Sequence, residues 1–416
     1  MKTENGKKQA LEGVKVLDFG WALAGSLNTK HLADHGAQVI RLETAKRQCM
    51  TRTNRQVSIS SRTNPDDKPF FLHYNTSKYS LTLDLKHPRA RGLLDKLIQW
   101  ADVVNENFMP GTLNKLGLGY DDIRKIKPDM IMVSTSIFGQ TGPYAHMGGV
   151  DGMGNAISGR LDIAGWPDRG PVAPSSCAFG DDILPLFTAM AIVAALDYRR
   201  RTGKGQYIDG AMLEVCANQI GPAFLDWQAN GRIPTRNGNR IPEASPHGVF
   251  PCKGDDRWCA ISVFTDEEWK AFSGVLGHPP WTQEKRFGDL ESRKANEDEL
   301  ESLIAEWTSD HEAQEIMHRM QEAGVCAGMV QDARDLMEND PQLKERAFLL
   351  YMEHPVLGVC AHPTPPYKLL KTPAQIKTAP SWVNIMTTYV LKYWGCRMMS
   401  LWHCYRREFF NNLLVK

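Results

Sequence analysis

Two short β-rich runs, VKVLDF at 14–19 and QVIRLE at 38–43, flank the stretch AGSLNTKHLADHGA, whose Asn, Thr and Ala residues recur at helical spacing and which stops at Gly36. This is a β-α-β unit. The pattern repeats: LLDKLIQWA reads as a helix, DVVNEN as a strand, MPG as a turn, LGYDDIRKI as a helix and MIMVSTS as another strand. Strands alternating with helices predict an α/β fold with a parallel, Rossmann-like sheet and its ligand at the carboxyl ends of the strands. No G-x-G-x-x-G follows the first strand, so the dinucleotide fingerprint is absent. The Gly-rich stretch GGVDGMGNAISG reads as a close-approach loop between strands. The first part, 1–216, forms the large domain. From 217 to 330 a hairpin-like GVFPCKGDDRWCAISVF followed by acidic helical segments predicts a smaller α+β domain, and 331–380 returns to the large one.

The 49 basic and 48 acidic residues nearly cancel, which leaves no global field to draw nucleic acid or an anionic membrane surface. Phosphate binding must therefore be local. Nine cysteines, at 49, 177, 216, 252, 259, 326, 360, 396 and 404, contain no C-x-x-C pair and read as reduced thiols of a cytoplasmic protein rather than as disulfides or zinc ligands. No other metal-ligand spacing is present. The polar N-terminus MKTENGKKQALEG lacks the apolar segment of a secretory signal. The longest apolar run, Ile183 to Leu196, is shorter than the roughly 20 residues of a spanning helix and reads as a buried helix.

The sharpest local feature is Gly180-Asp181-Asp182, placed directly before the apolar run ILPLFTAMAIVAAL. A carboxylate at a helix N-terminus is held as the anion by free backbone N–H groups and by the helix dipole. Taken alone, such an aspartate is a cap. A functional reading needs further residues.

Those residues are present as ordered blocks. LEGVKVLDFGWALAG and LADHGAQVIRLE are followed by NTSKYSLTLDLKHPRARGLLDKLIQWADVVNENFMPGTLNKLGLGYDDI, then STSIFGQTGP, then GDDILPLFTAMAIVAALDYRRRTGKGQYIDGAMLE. Together, to about Pro380, they resemble the class III CoA-transferase family, also called the formyl-CoA transferase or carnitine CoA-transferase family. The resemblance places the catalytic aspartate at Asp181, with Asp182 as the alternative register, and a second catalytic candidate at Asp151, where the family carries an acidic residue near the active site. It implies transfer of coenzyme A from an acyl-CoA to a free carboxylic acid through an aspartyl anhydride and an aspartyl-CoA thioester. CoA is then a substrate, and no cofactor is bound permanently. The segment Leu83, Asp84, Leu85 and Lys86, together with Asn107, Phe108 and Lys115, matches the family's CoA contacts. Lys46, Arg47 and Arg52 stand where they could add phosphate contacts or form a charged surface loop. The resemblance further implies an interlocked ring-like homodimer, or a heteromer with a homologous subunit.

Two departures bear on the substrate. Leu23 stands where formyl-CoA transferase has a polar side chain, and Thr44 where it has arginine. Both weigh against a formyl- or oxalate-type substrate. Leu23, Trp21 and the small residues of GGVDGMGNAISG suggest a roomier, more apolar acyl site, with a dicarboxylic donor such as succinyl-CoA and a larger apolar acceptor expected. The related α-methylacyl-CoA racemases need a histidine in a Gly-His-Asp segment, which here reads Gly149-Val150-Asp151. A non-catalytic subunit of a two-subunit transferase is the third reading, opposed by Asp181 and kept open by Leu23.

The last stretch, SWVNIMTTYVLKYWGCRMMSLWHCYRREFFNNLLVK from 381 to 416, changes composition abruptly. Reading its codons from the last base of the Ser381 codon permits Met-Gly-Glu-His-Asn-Asp-Tyr-Val, and Tyr393-Trp394-Gly395 then forces Leu-Gly, both like the ends of family members. The sequence from about 382 is therefore expected to be a frameshifted tail, a reading that resequencing across the Ser381 codon tests.

Overall fold

The computed structural model describes residues 8–44, 46–53, 64–88, 90–171 and 178–382. It divides into two compact units. The larger comprises the described parts of 1–160, 173–224 and the chain from 346 on; the smaller comprises those of 161–172 and 225–345.

The larger unit is built on six strands: β1 (Lys15–Asp18), β2 (Gln38–Glu43), β3 (Tyr79–Thr82), β4 (Val103–Glu106), β5 (Ile131–Ser136) and β6 (Tyr207–Ala211). All pairings are parallel, in the order β3-β2-β1-β4-β5-β6. That order is the doubly wound Rossmann arrangement. Adjacent residues point to opposite faces of a strand, so a sheet covered on both sides is built from continuous apolar runs. Val16, Val39, Val103, Ile131 and Val133 face one layer, formed by α1 (Ala24–Asp34) and, through Ile192 and Ala195, by the later helix Phe179–Thr202. Leu17, Leu42, Val104 and Met132 face the other, formed by α2 (Ala90–Trp100) through Leu94, Leu97 and Ile98 and by α3 (Tyr120–Ile126) through Ile123. Three further helices matter for the site: α4 (Asp151–Ile157), α5 (Phe179–Thr202) and α6 (Met212–Asn218). At 24 residues, α5 is longer than the apolar run expected from sequence and, by length and composition, could cross a membrane. Here it lies along the sheet.

The smaller unit is an antiparallel sheet of β7 (His247–Pro251), β8 (Trp258–Ser262) and β9 (Cys326–Met329), with α7 (Asp266–Val275), α8 (Glu297–Ser309) and α9 (Ala313–Glu322). Phe250, Ile261, Trp269, Phe272, Leu300, Ile304 and Ile316 form its core. Thr265 and Glu268 close α7 with a reciprocal capping box. The chain returns to the larger unit with the hairpin β10 (Leu349–His354) and β11 (Gly358–Pro363).

The unit boundaries differ from the 217 and 331 expected from sequence. Helix α6 buries Met212, Val215 and Cys216 with Leu184, which keeps the chain past 216 in the large unit. Asp335 and Asp332 pair with Arg257 at 2.9 and 3.6 Å, which holds 331–345 to the small one. The tail expectation falls at 383–416, outside the described residues.

Between β1 and α1 lies a buried polar network centred on Asp18. Its carboxylate accepts from the Gly20 amide at 2.7 Å, Thr29 Oγ1 at 2.6 Å, Asn105 Nδ2 at 2.8 Å and Lys78 Nζ at 3.1 Å. Burial alone would raise the acid's pKa, but Lys78 and Arg41 beside it hold it below the usual carboxylate range. Removing one partner of a buried pair strands the other charge. Asp18→Ala is therefore expected to lower the unfolding free energy by about 3–5 kcal/mol. A loss under about 1 kcal/mol in urea unfolding would contradict this account of the network.

Candidate functional site

Strand order reverses between β1 and β4, and the crevice outside the carboxyl ends of such neighbours is where doubly wound sheets bind ligands. The loop after each strand is fixed by the other. Asn107 accepts from the Trp21 amide at 2.6 Å and donates to the Trp21 carbonyl at 2.8 Å. Gly25 permits this approach, because a Cβ there would stand 2.3 Å from Asn107 Oδ1. Ala22 adopts φ 54°, a left-handed conformation rare for alanine, and its amide and carbonyl are tied to Cys49 Sγ and Ser26 Oγ. The loop so held leads into α1 at Ala24, whose backbone N–H draws the Asp181 acid down against the burial that raises it.

Asp181 sits in the first turn of α5, where backbone N–H groups lack helical partners. The cap comes from another helix. Oδ1 of Asp151, the first residue of α4, accepts from the amides of Gly180 at 2.6 Å and Asp181 at 3.1 Å. Its Oδ2 accepts from Asn155 Nδ2 at 2.8 Å, one turn along α4. Asn155 Oδ1 in turn accepts from Arg160 Nη1 at 3.0 Å, and the Arg160 guanidinium lies 3.6 Å from the centre of the Phe179 ring. Gly180 makes the close approach possible: a Cβ there would meet Met212 Cγ at 2.4 Å and Asp151 Oδ1 at 2.8 Å.

With the cap supplied by Asp151, the Asp181 side chain is spared that task. Burial, then the neighbouring carboxylates of Asp151 and Asp182, push its acid up to about 7, against the opposing pull of the Ala24 N–H. Among the described residues it makes no ion pair. This is a carboxyl group poised between its two protonation states, which suits nucleophilic or acid-base work.

Of the other residues singled out from sequence, the structure brings Asp151 and Asn107 into this constellation. Asn107 commits both ends of its amide to Trp21. Phe108 packs against the large core. Leu83 is buried in that core, which takes its side chain away from any ligand, and Leu85 packs beside it. Asp84 pairs with Lys46 at 2.7 Å and accepts the Lys86 amide at 3.1 Å. Lys86 and Lys115 are exposed. Arg47 lies 4.6 Å from the Trp21 ring. Arg52 is not a surface cation: it is 1 % exposed, forked onto Glu43 at 2.9 Å by two nitrogens and paired with Asp66. GGVDGMGNAISG is not a plain loop either, since 151–157 is helical and Gly154 lets α4 approach Met212. Leu23 is buried with Leu27 and Tyr74, with Phe70 and Ala178 packed against them. Sequence reasoning missed the Ala24 amide, Asn155 and Arg160; the spacing of Asn155 four residues after Asp151 was the available signal for one of them.

The family model described as CoA-transferase family III matches residues 11–382. Succinyl-CoA--D-citramalate CoA-transferase of Chloroflexus aurantiacus is 32% identical over 348 residues, covering 84% of this chain and 85% of its own. The beta subunit of succinyl-CoA--L-malate CoA-transferase from the same organism is 31% identical, covering 92% and 93%. Among solved structures, a CAIB/BAIF family protein from Brucella suis superposes with a TM-score of 0.82 at 30% identity, covering 90% of this chain and 96% of its own.

The Asp181 carboxyl carbon, assigned by its loss in Asp181→Asn, should titrate by ¹³C NMR with a midpoint near 7. Asp151→Asn, which removes a like charge, should move that midpoint to lower pH while leaving it above the ordinary carboxylate range, because burial remains. A midpoint near 4 in the native chain would contradict the description of the site.

Proposed function

Because the chain belongs to CoA-transferase family III, we propose that it moves coenzyme A from an acyl-CoA to a free carboxylic acid with Asp181 as the nucleophile. The observation that carries this reading is the Asp181 carboxylate itself: half-buried, without an ion pair among the described residues, and beside the carboxylate of Asp151, which holds the Gly180 and Asp181 amides.

An Asp181 oxygen attacks the thioester carbonyl; the C–S bond breaks and CoA leaves as thiolate, leaving a mixed anhydride on the aspartate. The thiolate attacks the aspartyl carbonyl, the C–O bond to the donor acid breaks, and Asp181 becomes a CoA thioester. The acceptor carboxylate attacks that thioester, giving a second anhydride and free thiolate. The thiolate then takes the acceptor acyl group and restores the Asp181 carboxylate. No net proton is gained or lost. Burial keeps the carboxylate poorly solvated and so a better nucleophile, and the Ala24 N–H can follow the charge as it moves onto the aspartyl carbonyl oxygen.

The similarity to a beta subunit, together with the exposed side chains of Leu186, Phe187, Met190 and Val193 on α5, supports association with a second copy or a homologous chain. The described cysteines, all free thiols, support a reducing, cytoplasmic setting.

With succinyl-CoA and a panel of acids, initial rates should follow ping-pong kinetics, and Asp181→Ala should lower kcat by at least about 1,000-fold with the fold intact. Activity should fall as pH drops below about 7, because protonation removes the nucleophilic form. Intersecting double-reciprocal plots, or an active Asp181→Ala, would overturn the mechanism.

A further inference from the structure

We propose that Arg160 binds a second carboxylate on the transferred acyl group, making the enzyme selective for dicarboxylic acids over monocarboxylic ones. The inference rests on the transferase reading and adds to it a substrate class and the residue that selects it.

Arg160 is half-buried and, among the described residues, has no acidic partner. Its side chain is nonetheless held in place: Nη1 donates to Asn155 Oδ1 at 3.0 Å, and one face of the guanidinium lies 3.6 Å from the centre of the Phe179 ring. A guanidinium carries five N–H donors in a planar fork that matches a carboxylate. One donor goes to Asn155. A cation drawn partly out of water and left unpaired is costly unless an anion meets it.

The position of Arg160 identifies that anion. Asn155 bonds to Asp151, and Asp151 holds the Gly180 and Asp181 amides. Phe179 is two residues from Asp181. The buried Cys216 thiol donates to the same Asn155 Oδ1 at 3.7 Å. Arg160 is therefore fixed to the nucleophile through one hydrogen bond chain and one ring. The acyl carbonyl must be at Asp181 during reaction, so groups of the acyl chain come within reach of Arg160. The phosphates of CoA lie a full pantetheine arm away.

The test compares acids of equal length as acceptors from succinyl-CoA: glutarate and adipate against pentanoate and hexanoate. The native enzyme is expected to favour at least one dicarboxylate over its monocarboxylate match by about 10-fold or more in kcat/KM, the range of a charge-assisted bond. Arg160→Gln should cut that ratio at least about 10-fold, chiefly through KM of the dicarboxylate, and Arg160→Lys should restore part of it. A merely structural role for Arg160 would slow both acids in proportion and leave the ratio unchanged, which would overturn the proposal. So would a native enzyme that serves both acids equally. Should Arg160→Gln not fold, the ratio in Arg160→Lys decides, and a native ratio retained there in full counts against the proposal. Failure of the transferase reading looks different: the native chain would then transfer CoA to neither acid, and the inference would fall with it.

Discussion

The carboxylate of Asp151 spans two helices that have no sequence contact. By taking the first amides of α5 with one oxygen and Asn155 with the other, it does for that helix what a residue of the helix itself usually does. The cap position of that helix is Ala178, which has no polar side chain to offer, and Asp181 is its third residue. With Asp151 on the amides of Gly180 and Asp181, burial and then the carboxylates of Asp151 and Asp182 raise the Asp181 acid. A carboxylate satisfied by several amides of its own helix would be weakly basic and poorly nucleophilic. The chemistry proposed for the chain depends on that division of roles.

Fold topology explains why these groups meet. The sheet reverses direction of growth between β1 and β4, and the loops leaving the two strands close on one another through Asn107 and Trp21. Beneath them Asp18 ties β1 to β4, α1 and Lys78. The Ala24 amide is therefore delivered by a rigid base. The long helix α5 rests on the same sheet face as α1, which brings the two helix N-termini into one place. Chemistry built from one backbone amide and one carboxylate needs such rigidity, because neither partner can reach far to correct an error in position.

Much of this architecture was legible in the residues. Strand-helix alternation announced a parallel sheet, and the apolar runs VKVL, DVV and MIMV match strands covered on both faces. The order of the strands was not, since periodicity says nothing of which strand neighbours which. Asp181 was legible only through resemblance, because a lone aspartate before an apolar helix reads first as a cap. What sequence could not show is that the cap comes from 30 residues upstream. The glycines of 148–159 hid a short helix for a related reason: Gly154 serves close packing against Met212 rather than chain reversal. Arg52 misled in the opposite direction, for a charge beside a strand end reads as exposed until its buried partner Glu43 is seen.

The most direct test of the central claim is covalent. The protein is incubated with succinyl-CoA without an acceptor, quenched with hydroxylamine or borohydride, and digested for mass spectrometry. The account predicts a modified side chain at Asp181 that is absent from Asp181→Ala and from samples lacking the thioester. No adduct at Asp181 with any of several acyl-CoA donors, from a protein that binds CoA, would contradict it and favour a non-catalytic subunit.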